Sequence, residues 1–337
     1  MHCYEIQDNF GLENLQQTER PDPEVEAGYV RLKMKAWSPN YRDILMIQGA
    51  YNPNQPLPLI PFSDAVGEVV EVGGDVDRVS VGDRVCPIFA RDWVAGEPTK
   101  KRLKTALGGP LDGTLAEQMV LPDHAVVPVP EYLTDAEAAT LPCAGVTAWN
   151  ALMEQGDVTA GDTVATLGTG GVSSFALLFA KAAGAEVIIT SSQDAKLEQM
   201  ADYGADFGIN YEDVPEWGSR IKEWTGGTGA DHIVEVGGAN TLEQSVRGVG
   251  IGGHLSLNGR LDGTNQDFNV IPVLMQNIRI QGVIVGHREM FEHMCDALAA
   301  NDIHPVVDRS FGFDEVHDAL QYVIEGRHIG KVAIERA

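Results

Sequence analysis

The sequence predicts an α/β protein made of a doubly wound parallel sheet and a second, β-rich domain, and three observations carry that prediction. The chain has 337 residues, a length that usually holds two domains. Its first 125 residues read as short strands parted by turns, whereas from about residue 131 strands alternate with helical stretches. Within that second stretch a glycine turn, GTGGVS at 168–173, joins a strand to a helix.

In the first region RLKMKAW, AVGEVVEVG, DRVCPIFA and EQMVLP are β-rich runs, and clusters such as YNPNQPLPLIP and GGDVD separate them. Thr134 and Glu137 then form a capping box that opens an alanine-rich helix. Six strands follow, TVATLG at 163, EVIIT at 186, FGIN at 207, HIVEV at 232, HLSLNG at 254 and IRIQGVIVG at 278, the full count of a doubly wound sheet. Phe175, Leu178, Phe179 and Ala182 fall at i, i+3, i+4, i+7, and Leu197, Met200 and Ala201 mark a second helix that stops at Gly204. After Gly286 a helix carrying Phe291, Met294 and Leu298 leads to HPVVDRSFGFDEVHDAL and a last strand, KVAIE. This tail fits neither a seventh strand of the parallel sheet nor a separate domain, so it is expected to return to the first region. The expected domains are therefore 1–130 with 287–337, and 131–286.

Forty-nine acidic residues against 24 basic ones leave a formal net charge of −25. At long range such a chain repels phosphate backbones and anionic lipid, which argues against nucleic acid or a membrane surface as its main partner. With 44% hydrophobic and 22% charged residues the composition is globular and speaks against disorder. Only nine of the basic residues are lysines, and two readings of this acidity stand side by side: adaptation to high salt, where screening shrinks to roughly 3 Å at 1 M, or an ordinary acidic cytoplasmic enzyme. Four scattered cysteines with no CxxC pair suit a reducing compartment, and the N-terminal segment shows no secretory signal, so a soluble, cytoplasmic protein is expected.

The glycine turn carries the chemistry. Gly168 allows the tight bend, Gly170 and Gly171 let backbone approach a pyrophosphate, and the helix start around Thr169 to Val172 offers free N–H donors. Ser173 stands where the third glycine of GxGxxG would be. About twenty residues on, an acid would bind the adenosine ribose, but the second strand ends in Thr190, Ser191 and Ser192, with Lys196 beyond. Hydroxyls and a lysine suit a 2′-phosphate, so NADP(H) is favoured over NAD(H). Asp194 is the counter-argument, and it is read as the N-cap of the following helix.

Taken together, SPNYRD at 38, PLPLIPFSDAVGEVVEVGGDVDRVSVGDRV at 56, LPCAGVTAWNAL at 141, GTGGVS at 168, TSSQDAKLEQMADYGADFGINY at 190 and GKVAI at 330 resemble the medium-chain dehydrogenase/reductase superfamily along nearly the whole chain. The resemblance implies a GroES-like β domain completed by the C-terminal segment, a Rossmann domain between, and substrate in the cleft. Zinc alcohol dehydrogenases of this superfamily hold a catalytic zinc through two cysteines and a histidine, with a neighbouring glutamate. The matching positions here are Asn40, Cys143 and Ser63, with Asp64 for the glutamate. One thiol with an amide and a hydroxyl is not a zinc site, and the lobe ARDWVAGEPTKKRLKTALGG has no cysteine for a structural zinc. No metal is expected.

The chain then looks like the zinc-independent branch, similar to quinone oxidoreductases, enoyl reductases and metal-free alcohol-dehydrogenase-like proteins. There the NxxD element lines the nicotinamide pocket, here Asn40, Tyr41, Arg42 and Asp43, and the QGAY stretch puts Tyr51 where some enoyl reductases keep a proton-donating tyrosine. The resemblance also implies Thr147 near the nicotinamide, Tyr211 with Ser192 and Lys196 near the 2′-phosphate, and Lys331 near the pyrophosphate. Conjugated carbonyl reduction needs no Lewis acid, since hydride adds to a carbon already electrophilic, and the enolate left behind needs hydrogen bonds and one proton. Asn40 or Arg42 could hold the oxygen and Tyr51 or water supply the proton, while Arg42 and Asp43 have an equal reading as a structural ion pair. The expected function is thus NADP(H)-dependent reduction of a quinone, enone, aldehyde or ketone. An NAD(P)-linked alcohol dehydrogenase is the near alternative, and an NADPH-binding protein with little turnover the distant one. Family habit and the hydrophobic strand at 278 suggest a homodimer.

Overall fold

The computed structural model describes residues 1–265 and 267–336. Along the chain run β1 (His2–Ile6), β2 (Leu15–Glu19), β3 (Tyr29–Trp37), β4 (Ala65–Val72), β5 (Arg84–Pro87), β6 (Gln118–Pro122) and β7 (Val126–Pro128). Next come β8 (Thr163–Thr166), β9 (Glu186–Ser191), β10 (Phe207–Asn210), β11 (Ala230–Glu235), β12 (Val249–Leu257) and β13 (Arg279–Gly282), and the chain closes with β14 (Val307–Gly312) and β15 (Lys331–Glu335). They fall into two units, Met1–Val146 with Gly286–Ala337, and Thr147–Val285.

The first unit is organised around β3. Its alternating residues bury Val30, Leu32, Met34 and Ala36 and leave Arg31, Lys33 and Lys35 at least partly in solvent, the period-two pattern of a strand with one face on a core. β3 pairs antiparallel with β4, with β6 and, at Ala36 and Trp37, with β15, in a sheet ordered β14-β15-β3-β4-β5-β7. The C-terminal strands β14 and β15 therefore join the sheet of the first unit. The antiparallel β1–β2 pair, with Cys3, Tyr4, Ile6 and Leu15 buried, is not foreseen in the sequence, because glutamate and glutamine interrupt its short apolar pattern.

The capping box at 134 forms: Thr134 N–H donates to Glu137 Oε2 at 2.8 Å and Glu137 N–H to Thr134 Oγ1 at 3.2 Å. The helix it opens is short, Asp135–Ala138, and it packs on β3, β4, β14 and β15, which keeps residues 131–146 with the first unit. Two π-helical turns, Leu141–Gly145 and Asn150–Glu154, then flank a single α-turn at Val146–Trp149. Pro142, which brings no N–H, lies in the first of them, and such wide turns recur at functional sites.

In the second unit the strands run β10-β9-β8-β11-β12-β13, all parallel, the 3-2-1-4-5-6 order of a doubly wound sheet. Its order reverses between β8 and β11, where ligands bind such sheets at the carboxyl ends of the strands. The helix after β8, Gly171–Ala182, is more deeply set than an amphipathic stripe would be. Ser173, Ser174, Phe175, Ala176, Leu177, Phe179 and Ala180 are buried, Leu178 only in part, and Ala182 is exposed. Small residues are what let this helix sink so close to the strands. In the helix Asp194–Asp202, Met200 is buried and Leu197 half-buried, but Ala201 faces solvent. Of the expected strand IRIQGVIVG only Arg279–Gly282 joins the sheet, and Val285 takes a positive φ of 40° that extended pairing does not tolerate. Among the described residues no helix is long and apolar enough to cross a membrane.

Candidate active site

The second unit presents the glycine turn as the sequence requires. Gly168 has φ 71°, the left-handed bend that ends β8, and its N–H donates to Thr190 Oγ1 at 3.2 Å. The helix that follows has Gly170 as N-cap with no side-chain cap, so its first-turn amides, from Gly171 and Val172 onward, keep no side-chain partner, and open space faces Gly168 and Gly170 on the side where a Cβ would stand. Uncapped amides beside backbone stripped of side chains fit a pyrophosphate. Thr169 is buried beside them. Ser173, in place of the third glycine, is itself buried and donates its hydroxyl to Leu167 O at 2.6 Å, so helix and strand stay close without a glycine.

At the end of β9, Ser191 is buried and its Oγ accepts from Gln193 N–H at 3.1 Å, while Ser192 is exposed and Lys196 half-buried. Gln193, not Asp194, is the N-cap of the next helix. Asp194 falls one residue inside it, and its carboxylate accepts from Asn210 Nδ2 at 2.8 Å, an amide partner replacing the helix amides expected for it. Tyr211, partly exposed, donates its N–H to Ser191 O at 3.0 Å and so lies next to the serine pair. Thr147 is buried in the α-turn between the two π-turns.

Sequence reasoning did not single out Glu235, which ends β11 at full burial. Its carboxylate accepts from the N–H groups of Gly237 at 2.7 Å and Gly238 at 3.0 Å, from Thr241 Oγ1 at 2.7 Å, and from the Ser245 hydroxyl. It thereby fixes the loop leaving β11 at the reversal point of the sheet. The signal was present as an acid inside an otherwise apolar strand, HIVEV.

The first unit gathers a buried charged cluster. The helix Tyr41–Ile47 starts at Asn40, whose N–H donates to Asp43 Oδ2 at 2.9 Å. Lys331 opens β15 and, 4% exposed, donates Nζ to Asn40 Oδ1 at 2.6 Å and to Pro39 O at 2.8 Å. Asn40 Nδ2 is buried and makes no close hydrogen bond, and the acceptor its amide acts on is the carboxylate of Asp64. Asp64 is fully buried; it accepts from Ser63 Oγ at 2.7 Å and from Cys143 N–H at 3.1 Å. Burial raises its carboxyl to about 6 against the pull of Lys331, and burial raises Asp43 against the pull of Arg42.

Arg42 is committed to structure. It pairs with Asp43 at 3.1 Å, donates to Leu107 O and Gly109 O at 2.9 and 3.0 Å, and lies over the rings of Phe89 and Tyr51 at 4.9 and 5.3 Å. It therefore ties the 107–109 segment to the helix at 41. Tyr51 is half-exposed, one face under this guanidinium. Asp43 has no exposure at all.

These residues do not fit a zinc ion. The amide oxygen of Asn40 is taken by an ammonium and the Ser63 hydroxyl by Asp64, which leaves Cys143 as the one thiol at these positions, whereas zinc needs three or four nitrogen or sulfur donors in tetrahedral reach. Among the described residues no three histidine, cysteine, aspartate or glutamate side chains gather as a metal-binding group.

A family model for the alcohol dehydrogenase GroES-like domain matches residues 26–131, and one for zinc-binding dehydrogenases matches residues 171–300. A zinc-type alcohol dehydrogenase-like protein of Schizosaccharomyces pombe is 42% identical over 340 residues, 98% of this chain and 98% of that protein. The chain belongs to the medium-chain dehydrogenase/reductase superfamily. An alcohol dehydrogenase of Geobacillus stearothermophilus is 29% identical, with 93% of each chain covered. A crystal structure from Sinorhizobium meliloti 1021, of a protein assigned to the alcohol dehydrogenases, superposes with TM-score 0.93 at 40% identity, covering 99% of this chain and 98% of the other. The two units are accordingly the GroES-like and Rossmann-like domains of a medium-chain dehydrogenase/reductase, an oxidoreductase whose family binds a nicotinamide cofactor and acts on small alcohols or carbonyl compounds.

Proposed function

We propose that this medium-chain dehydrogenase/reductase is a metal-free, NADP(H)-dependent reductase of carbonyl compounds, with conjugated ones (quinones and enones) foremost. The observation that carries the reading is the donor set at Asn40, Ser63 and Cys143, in which the Asn40 amide oxygen is held by the Lys331 ammonium and the Ser63 hydroxyl by Asp64 at positions where zinc relatives keep ligands. Without a Lewis acid, a substrate whose carbon is already electrophilic through conjugation is the natural acceptor. When bound, the reduced nicotinamide supplies a hydride. The residues of this chain then have an enolate oxygen to stabilise and a proton to deliver. Asn40 Nδ2, a buried donor with no close hydrogen bond of its own, suits the oxygen. Tyr51, the exposed hydroxyl of the cluster, or water suits the proton. Arg42 and Asp43 act as supports.

Preference for NADP(H) over NAD(H) rests on Ser191 and Ser192 at the end of β9, with Tyr211 and Lys196 beside them and Asp194 drawn to Asn210. Four free cysteines, Cys3, Cys86, Cys143 and Cys295, support a cytoplasmic setting. A homodimer is part of the reading: among the described residues β13 pairs only with β12, leaving a sheet edge, and Ile271, Leu274 and Met275 just before it are exposed apolar residues. Light scattering at twice the chain mass supports it; a monomer rules it out.

The relatives named alcohol dehydrogenases favour a second reading, oxidation of an alcohol. One panel separates the two: quinones, enones and aldehydes with NADPH, and alcohols with NADP+. Fast NADPH oxidation by quinones or enones is expected. Turnover of alcohols alone establishes the second reading, and silence across the panel leaves an NADPH-binding protein.

A further inference from the structure

Lys331 lies 291 positions from Asn40 in the chain, yet Nζ stands 2.6 Å from Asn40 Oδ1. An ammonium has three donors and no acceptor, so it selects the oxygen end of the amide. Turning the amide over would place an NH2 against an NH3+ and leave the buried ammonium one bond short. The second bond, to Pro39 O, holds Nζ at the backbone just before Asn40, and the Asn40 N–H is itself held by Asp43 Oδ2. Ser38 Oγ donates to Val332 O at 2.7 Å, locking the start of β15 to the same segment. Three ties thus remove the freedom of Asn40 to translate, and the ammonium removes its freedom to flip. What remains is Nδ2, buried with no close hydrogen bond and with the carboxylate of Asp64 as its neighbouring acceptor.

We propose that Lys331 is a positioning residue that fixes the amide of Asn40 with its N–H donors presented to a carbonyl oxygen. Resting on the carbonyl-reductase reading, this assigns Lys331 a part in the chemical step, distinct from holding the cofactor's pyrophosphate. A free asparagine amide divides itself between donor and acceptor faces, and an acceptor face toward a developing oxyanion opposes the reaction. The locked amide is a donor throughout, which is the preorganisation that lowers a barrier.

The test is a double-mutant cycle of Lys331→Met and Asn40→Ala, with Lys331→Arg as the conservative variant. Lys331→Met is expected to lower kcat about 10- to 100-fold, less than the roughly 10²- to 10³-fold of an oxyanion donor removed outright, while the NADPH dissociation constant stays within about threefold. Lys331→Arg, which still donates to Oδ1, recovers most of the loss. In the Asn40→Ala background Lys331→Met changes kcat no further, the non-additivity a merely structural lysine would not produce. A tenfold weaker NADPH with kcat held, or full additivity, overturns the assignment. Should Lys331→Met fail to fold, Asp64→Asn/Lys331→Met removes one buried carboxylate along with the ammonium and serves in its place. If the wild type reduces no carbonyl, the function proposed above falls, and atomic-resolution crystal structures still decide this assignment. It requires Oδ1 on Nζ in the wild type and a mixed or reversed amide in Lys331→Met, and one unchanged orientation in both refutes it.

Discussion

Asp64 accepts the backbone N–H of Cys143 at 3.1 Å, so one fully buried carboxyl joins the segment after β3 and π-turn residues almost eighty positions away to a single charged cluster. Its raised value, about 6 against an ordinary 3.8, has a thermodynamic consequence. The folded protein holds this proton more tightly than the unfolded chain does. Stability from Asp64 is therefore greatest below pH 4 and falls as pH rises to about 6, where the buried carboxyl ionises. A shift of this size corresponds to roughly 3 kcal/mol. Asp64→Asn, which cannot titrate, should gain on the wild type by about that amount between pH 4 and pH 7 in urea unfolding. A constant difference across that range contradicts the assignment.

Cofactor choice is tested at the end of β9. Ser192 is exposed and follows a strand end, Thr190 and Ser191, that carries no acid, so Ser192→Asp should install the ribose-binding carboxylate, repel the 2′-phosphate, and shift the preference from NADPH toward NADH. Lys196→Ala should weaken NADPH about tenfold, about 1.4 kcal/mol, and leave NADH nearly unchanged. Fluorescence titration of both reduced cofactors against both variants checks this, and equal losses for NADH and NADPH defeat it.

Tyr51→Phe keeps the ring under the Arg42 guanidinium and removes only the hydroxyl. With Tyr51 as proton donor, kcat falls about 10²-fold and NADPH binding holds. Retention of full kcat assigns the proton to water.

Glu235 is a stability prediction. Glu235→Leu strands two backbone amides and two hydroxyls inside the sheet's end and should cost about 3–5 kcal/mol, a Tm lower by about 10 °C. Glu235→Gln keeps one oxygen for Gly237, Gly238 and Thr241 and turns its NH2 to the Ser245 hydroxyl, which can rotate to accept. It should cost about 1 kcal/mol. Calorimetry of the pair distinguishes lost hydrogen bonds from lost charge.

Local pattern made much of this legible. The strand of the GKVAI stretch, the six parallel strands and the glycine turn each announce themselves through period, composition and flanking turns within ten residues. The Asn40–Lys331 bond does not, because it is made by sheet pairing: β15 joins β3 at Trp37, which carries residue 331 to residue 40. The cap at Asp194 misled for a related reason, since Asn210, from the neighbouring strand β10, competes for its carboxylate. Likewise Arg42 reads in sequence equally as a cation for the substrate oxygen and as the ion-pair partner of Asp43. Its partners, the carbonyls of Leu107 and Gly109, lie on a lobe more than sixty residues on.

On the proposed function, hydride transfer here proceeds without zinc. The most direct measurement is elemental analysis and NADPH-dependent reduction of an enone or quinone on the same protein, before and after dialysis against a chelator. Metal well below one equivalent per chain with undiminished turnover is the predicted result. Stoichiometric zinc, with activity lost on chelation and restored by zinc, would contradict it.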